Sequence, residues 1–156
     1  MSFLTSLEVG KQGEFIIQNL FKSQNIISTV VNRPDYDLLI QFKRKKIKAE
    51  VKYDVYANKS GRIAIEVYNS RLNKPSGIFA TTAHVWFIVL SKKEIYMVPT
   101  RKLIHFVAYT ASSEPLWLYT DCGDGNADIM LYTKTLFNTI STRVNKNNIL
   151  SVLGKL

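Results

Sequence analysis

Between Asp37 and Lys52 the chain spells out two strands and a turn, and this stretch limits the possible folds more than any other. Asp37 leads into the apolar run Leu38-Leu39-Ile40, which reads as a buried strand. The basic run Lys43-Arg44-Lys45-Lys46 follows, and then a second strand through Ala49-Glu50-Val51-Lys52. Side chains two apart on a strand share a face. Glu50 and Lys52 therefore lie on one face, with Ile47, Ala49 and Val51 on the other. If the two strands pair as a hairpin, Asp37 and Glu50 converge near one end.

Two converging carboxylates offer hard oxygen donors to a divalent cation such as Mg²⁺. A lysine beside that cation can orient or deprotonate a water, or neutralise a phosphate. Together these are the elements of metal-assisted phosphodiester hydrolysis. Each residue also has a plainer reading. Asp35 and Asp37 follow Pro34, and acids beside proline often only make a turn. Asp37 is preferred as the ligand because it stands where the apolar strand begins; Asp35 has the same strand parity and stays open. Glu50 and Lys52 also suit the exposed face of an edge strand.

The pattern Pro34-Asp35-Tyr36-Asp37, then a strand and turn, then Glu50-Val51-Lys52, resembles the core of the PD-(D/E)XK nuclease superfamily. Upstream, Gly10-Lys11-Gln12-Gly13-Glu14 opens an apolar-periodic helix, where the family often carries an acid. Downstream, Lys74-Pro75-Ser76-Gly77-Ile78, Thr81-Thr82-Ala83 and the run from His84 to Leu90 are similar to a segment of phage-type members. The resemblance covers about residues 5–90. It implies a restriction-endonuclease-like α/β core, a central mixed sheet flanked by helices. It also implies a Mg²⁺-dependent endodeoxyribonuclease, with Mn²⁺ able to substitute. Asp37, Glu50 and the Val51 carbonyl would hold the metal. Lys52 would position the attacking water, and Glu14 would bind a second metal or orient water or Lys52. A phage or mobile-element enzyme of the homing type is expected. The alternatives are a Holliday-junction resolvase of the same superfamily and a basic nucleic-acid-binding module without chemistry.

Composition agrees with a polyanionic partner. Lys and Arg total 21 against 12 acids, a formal charge of +9, and a surplus of that size favours phosphate through counterion release. DNA is the expected partner. Lys11, Lys43, Arg44, Lys45, Lys46, Lys74, Ser76, Thr81 and Thr82 are the candidate contacts to its backbone. A solvated hairpin tip and a plain turn explain the same residues equally well. The tract from Arg143 to Asn148 is either a third basic patch or a polar connector. One catalytic centre per chain suggests a homo-oligomer for cutting both strands of a duplex.

Cys122 is the single cysteine, so no intrachain disulfide and no zinc finger is expected. His84 and His105 have no ligand partner at helical spacing and read as structural. There is no Gly-rich nucleotide loop, so no small-molecule cofactor is expected. No run is long and apolar enough for a membrane span, and a cytoplasmic protein of a prokaryote or a phage-infected host is expected.

The whole chain, 1–156, reads as one domain: a catalytic core over about 5–90 and a C-terminal elaboration over about 91–156. A helix is expected over Thr5 to Ser23, and strands over Ile26 to Val31, Asp37 to Phe42, Ile47 to Tyr53, Arg62 to Tyr68, His84 to Leu90 and Glu94 to Val98. A second helix is expected over Thr100 to Tyr109, strands over Leu116 to Thr120 and Asp128 to Tyr132, and a helix over Lys134 to Thr142. Gly10 and Gly13 each weaken the first helix by up to ~1 kcal/mol relative to Ala, which suggests a close approach by substrate or by a neighbouring strand. Glu66 lies opposite in parity to Ile63, Ile65 and Val67. It either extends the acidic cluster, pairs with Lys52, or is a solvated strand residue.

Overall fold

The computed structural model describes residues 3–111, 116–121 and 126–156, with side chains for 8–111 and 127–156. Cys122 and most of the segments 111–115 and 121–126 lie outside the described residues. Among the described residues, ten strands form two sheets.

The first helix, α1 (Phe3–Lys22), buries Ile17 and Phe21 and is followed by the short edge strand β1 (Ile27–Val30). The expected hairpin follows: β2 (Leu38–Phe42) pairs antiparallel with β3 (Lys45–Tyr53), Leu38 opposite Ala49. The chain then leaves this sheet. A short helix α2 (Ala57–Ser60), β4 (Arg62–Asn69), β5 (Lys74–Pro75) and a 3₁₀ turn (Gly77–Phe79) come before β6 (Val85–Ser91). β6 returns to lie parallel to β3, with Glu50 opposite Trp86 and Lys52 opposite Ile88. β7 (Glu94–Pro99) pairs antiparallel with β6, and β10 (Thr142–Val144) with β7. The six-stranded order is therefore β1-β2-β3-β6-β7-β10, a mixed sheet with β3 and β6 at its centre.

Strand parity sends β6 side chains into two cores. Val85, Phe87 and Val89 join Ile47, Ala49 and Val51 under α1 and the terminal helix α5 (Ile149–Leu153). Trp86, Ile88 and Leu90 face the other way. There they meet α3 (Thr100–Thr110) and the second sheet, whose order is β5-β4-β9-β8, with β8 at Leu116–Asp121 and β9 at Asn126–Thr133. The expected mixed sheet flanked by helices is thus present, with one unexpected layer, the second sheet, on the face that carries Glu50 and Lys52. Residues beyond Leu90 interleave with earlier ones, since β7 and β10 extend the main sheet and β9 pairs with β4.

The helix expected over Lys134 to Thr142 is shorter. α4 (Lys134–Asn138) is capped by the Thr133 hydroxyl, which accepts the Leu136 N–H at 3.2 Å. It stops before the run Thr139-Ile140-Ser141-Thr142, whose β-branched residues suit a strand better, and β10 begins at Thr142. Within the tract expected as a polar connector or basic patch, Asn145 and Asn148 form a turn that leads into α5: the Asn148 side-chain Oδ1 accepts the Asn145 N–H at 2.8 Å. Among the described residues no helix is long and apolar enough to cross a membrane.

Candidate active site

The site forms where β2 begins and β3 ends. Val51 donates its backbone N–H to Asp37 Oδ2 at 2.7 Å, and the Asp37 N–H donates to the Ala49 carbonyl at 2.9 Å. The acid just ahead of β2 therefore takes the place a longer β2 would have occupied. A residue's N–H and C=O leave an extended strand toward the same side, so the Val51 carbonyl also faces the edge that β2 vacates.

Glu50 and Lys52 project from the opposite face to Val51. Lys52 Nζ lies 3.3 Å from Glu50 Oε1 and 5.8 Å from the centroid of the Trp86 ring. Glu50 is 13% exposed and Lys52 39%, so the pair sits at the border between core and water. Burial pushes the Glu50 carboxyl above the ordinary range; Lys52 opposes this, and Asp37 and Glu66 add to it. Burial likewise raises Asp37 against the pull of the Val51 N–H and Lys52. Burial works against the Lys52 ammonium, but Glu50, then Glu66 and Asp37, outweigh it and hold its pKa above the usual lysine value.

Glu14 arrives from α1. Its carboxyl is raised by burial and by Asp37, with Lys11 acting the other way. Gly13 explains how the helix comes so close: a Cβ there would lie 2.8 Å from Tyr53 Cβ and 3.4 Å from Val51 Cγ1. The neighbouring strand, rather than a substrate, is what this glycine admits. Gly10 meets nothing within 4 Å, so no close approach accounts for it. Glu14, Asp37, Val51, Lys52, Glu66 and Lys11 are among the residues that line one open cavity of about 510 Å³, and Glu50 is linked to it through its ion pair with Lys52.

Asp35 has a different task. It accepts from Arg33 Nε at 2.9 Å and from the Thr82 hydroxyl at 2.5 Å, and the Arg33 and Thr82 bonds hold its pKa at about 2. Its backbone carbonyl accepts from the Thr81 hydroxyl and the Thr82 N–H. The structure therefore separates the two aspartates: Asp37 faces the cavity and Asp35 ties the loop down. Thr81 and Thr82, expected as phosphate contacts, spend their hydroxyls on this tie, and Ser76 Oγ is buried without a partner. Lys74 stays exposed on β5.

The basic turn lies away from this cavity. Lys43 to Lys46 occupy the far end of the β2–β3 hairpin, six residues or about 20 Å from Asp37. There Lys45 and Lys46 share an open cavity with His84 and with Lys155, which sequence reasoning missed. Nothing local marks Lys155; only the return of α5 brings it there. His84 is structural in part, since its Nδ1 accepts the Lys48 N–H at 3.1 Å. Among the described residues no carboxylate lies within ion-pairing distance of Lys43, Arg44, Lys45, Lys46 or Lys155.

The cavity's donors are hard oxygens, which is the chemistry a Mg²⁺-type ion requires. Among the described residues, no three His, Cys, Asp or Glu side chains already form a cation cage. What fits such an ion is the crowding of half-buried acids, offset in part by Lys52, Lys11 and the Val51 N–H.

No protein-family model and no curated protein matches the chain. Among solved structures it is similar to a resolvase. That is Hjc, a Holliday junction resolvase from the archaeal hyperthermophile Archaeoglobus fulgidus, at 10% identity and a TM-score of 0.48. The match covers 91% of this chain and 95% of that one. At such values the likeness carries none of the functional argument, which rests on the site.

Proposed function

We propose that the chain is a divalent-metal-dependent nuclease that hydrolyses DNA phosphodiester bonds at the cavity between α1 and the β2–β3 hairpin. One observation carries this reading: Glu14, Asp37 and the Glu50–Lys52 pair, drawn from three separate elements, meet at one end of the sheet. Asp37, Glu50 and the Val51 carbonyl would hold Mg²⁺ or Mn²⁺, with Glu14 at its margin. The bound cation would lower the pKa of a water and neutralise a phosphate oxygen. Lys52 places a fixed positive charge beside the position of the developing phosphorane oxygens, where a preformed charge stabilises the transition state. Lys11 stands at the cavity rim, able to meet a phosphate as it enters.

The unpaired cations at the far end of the hairpin support a backbone contact away from the scissile bond. Phosphate contacts position a duplex without reading its sequence. A homo-oligomer remains part of the proposal, because each chain brings one centre. Exposed Ile27 and Val30 on the edge strand β1 offer an apolar surface that a second copy can cover.

The test is nicking of supercoiled plasmid with Mg²⁺ and with EDTA. Metal-dependent cleavage that disappears in Glu50→Gln and Lys52→Ala, with DNA binding retained, is the expected result. Binding that survives without any nicking on plasmid, branched or single-stranded DNA would overturn the enzyme and leave a basic binding module. Comparing a four-way junction with linear duplex separates the resolvase-type reading from the homing-type one.

A further inference from the structure

The second sheet contributes one more acid to the cavity, and its mounting is unusual. Along β4 the residues Ile63, Ile65 and Val67 are buried in the core between the sheets. Ala64 and Glu66, of the other parity, line the cavity with Lys52, Asp37 and Glu14. The β4–β9 ladder slips at this point: Glu66 pairs with Ile129 and Tyr68 with Asp128, which leaves Val67 as an extra residue. A bulge of this kind re-aims the side chains beside it.

The other side of the Glu66 peptide is held as well. Gly77 adopts a φ of +51°, in the left-handed region, and a Cβ there would overlap the Glu66 carbonyl oxygen. Ser76 donates its N–H to the Val67 carbonyl at 3.2 Å. A bulge, a left-handed glycine and a backbone hydrogen bond thus fix one half-buried carboxylate. That carboxylate has no cation within ion-pairing distance among the described residues, because the nearby ammonium of Lys52 is engaged by Glu50.

This arrangement creates a problem that Glu66 solves, given the nuclease reading. Glu50 cannot give its full charge both to Lys52 and to a metal ion. A partly buried ammonium that loses its partner is costly. We propose that Glu66 is a positioning residue that takes over the Lys52 ammonium when Glu50 engages a divalent cation. Lys52 then stays over the cavity instead of competing with the cation for Glu50.

Calcium binding to the whole protein, followed by calorimetry without turnover, tests the hand-over. Glu66→Gln should weaken Ca²⁺ binding roughly three- to tenfold, a small part of a typical binding energy. Glu66→Asp, which keeps the charge at shorter reach, should fall between and covers the case in which the glutamine variant does not fold. In a Lys52→Met background the same Glu66→Gln change should have no effect, because no ammonium remains to be transferred. The side-chain NMR signal of Lys52 should move on Ca²⁺ addition in the wild type and move differently in Glu66→Gln. Equal weakening in the Lys52→Met background would make Glu66 a direct ligand and overturn the proposal. So would unchanged Ca²⁺ affinity in Glu66→Gln and Glu66→Asp. A wild type that binds no divalent cation would instead overturn the nuclease reading, and the hand-over would fall with it.

Discussion

Asp37 is fastened to Val51: its carboxylate accepts the backbone N–H of the residue that separates Glu50 from Lys52. The upstream acid and the Glu-Val-Lys strand are therefore tied directly to each other. Loss of Asp37 should act on chemistry, and loss of Asp35 on the loop. Asp37→Asn should reduce plasmid nicking by about 100-fold or more, on the scale of losing a metal ligand or its support. Asp35→Asn should retain a much larger share of activity. Initial rates at saturating Mg²⁺ check this, and equal loss in the two variants would refute the assignment.

Lys52→Arg should not restore cleavage lost in Lys52→Ala. The guanidinium is planar and larger than the ammonium it replaces, and the site confines Lys52 between Glu50 and the Trp86 ring. Single-turnover rates on pre-bound DNA measure the effect without interference from binding.

Stability in the absence of metal should depend on pH in two opposite ways. Glu14, Asp37 and Glu50 have carboxyl pKa values raised in the fold, chiefly by burial. Between the ordinary carboxylate range and those raised values the folded chain binds more protons than the unfolded one. Stability from these groups therefore falls as pH rises through the raised values and then stays at its lower level. Asp35, lowered to about 2, contributes stability that is present above the ordinary aspartate range and lost as pH falls toward 2. At pH 7 without metal, Asp37→Asn should raise Tm by a few degrees, since ~1 kcal/mol corresponds to about 2–4 °C for a chain of this size. Asp35→Asn should lower it. Added Mg²⁺ should raise the Tm of the wild type more than that of Asp37→Asn.

The two glycines of α1 should behave differently. Gly13→Ala forces the helix away from Tyr53 and should cost about 1–3 kcal/mol, the usual penalty for overpacking. Gly10→Ala meets no neighbour and should stabilise by up to ~1 kcal/mol. Urea unfolding of both variants distinguishes these outcomes.

Replacing Lys45, Lys46 and Lys155 together should weaken DNA binding and flatten its dependence on salt. Each lost phosphate contact removes about 0.9 from the slope of log K against log salt. Fluorescence anisotropy from 50 to 200 mM salt would show it. An unchanged slope would return these cations to the role of a solvated surface.

The hairpin was legible because its signals are local: an apolar run, a basic turn, and alternation through Ile47, Ala49 and Val51 that matches the buried face. Asp35 and Asp37 could not be separated that way, since they share parity. What separates them is Thr82, 47 residues away. The second sheet was hidden for the same reason. β4 could be read as a strand, but its pairing with β9 depends on residues far along the chain. β10 and α5 are three and five residues long, too short for periodicity to declare them. Gly13 pointed to a close approach without saying whether a strand or a substrate was responsible.

β3 lies between β2 and β6, while the open edges of its sheet belong to β1 and β10. Peeling an outer strand leaves the ladder around Glu50 and Lys52 intact, so their amide protons should exchange with solvent only when the whole domain opens. The proposed chemistry would thus rest on the part of the sheet expected to open last, and adjustment to a substrate would fall to α1 and the second sheet.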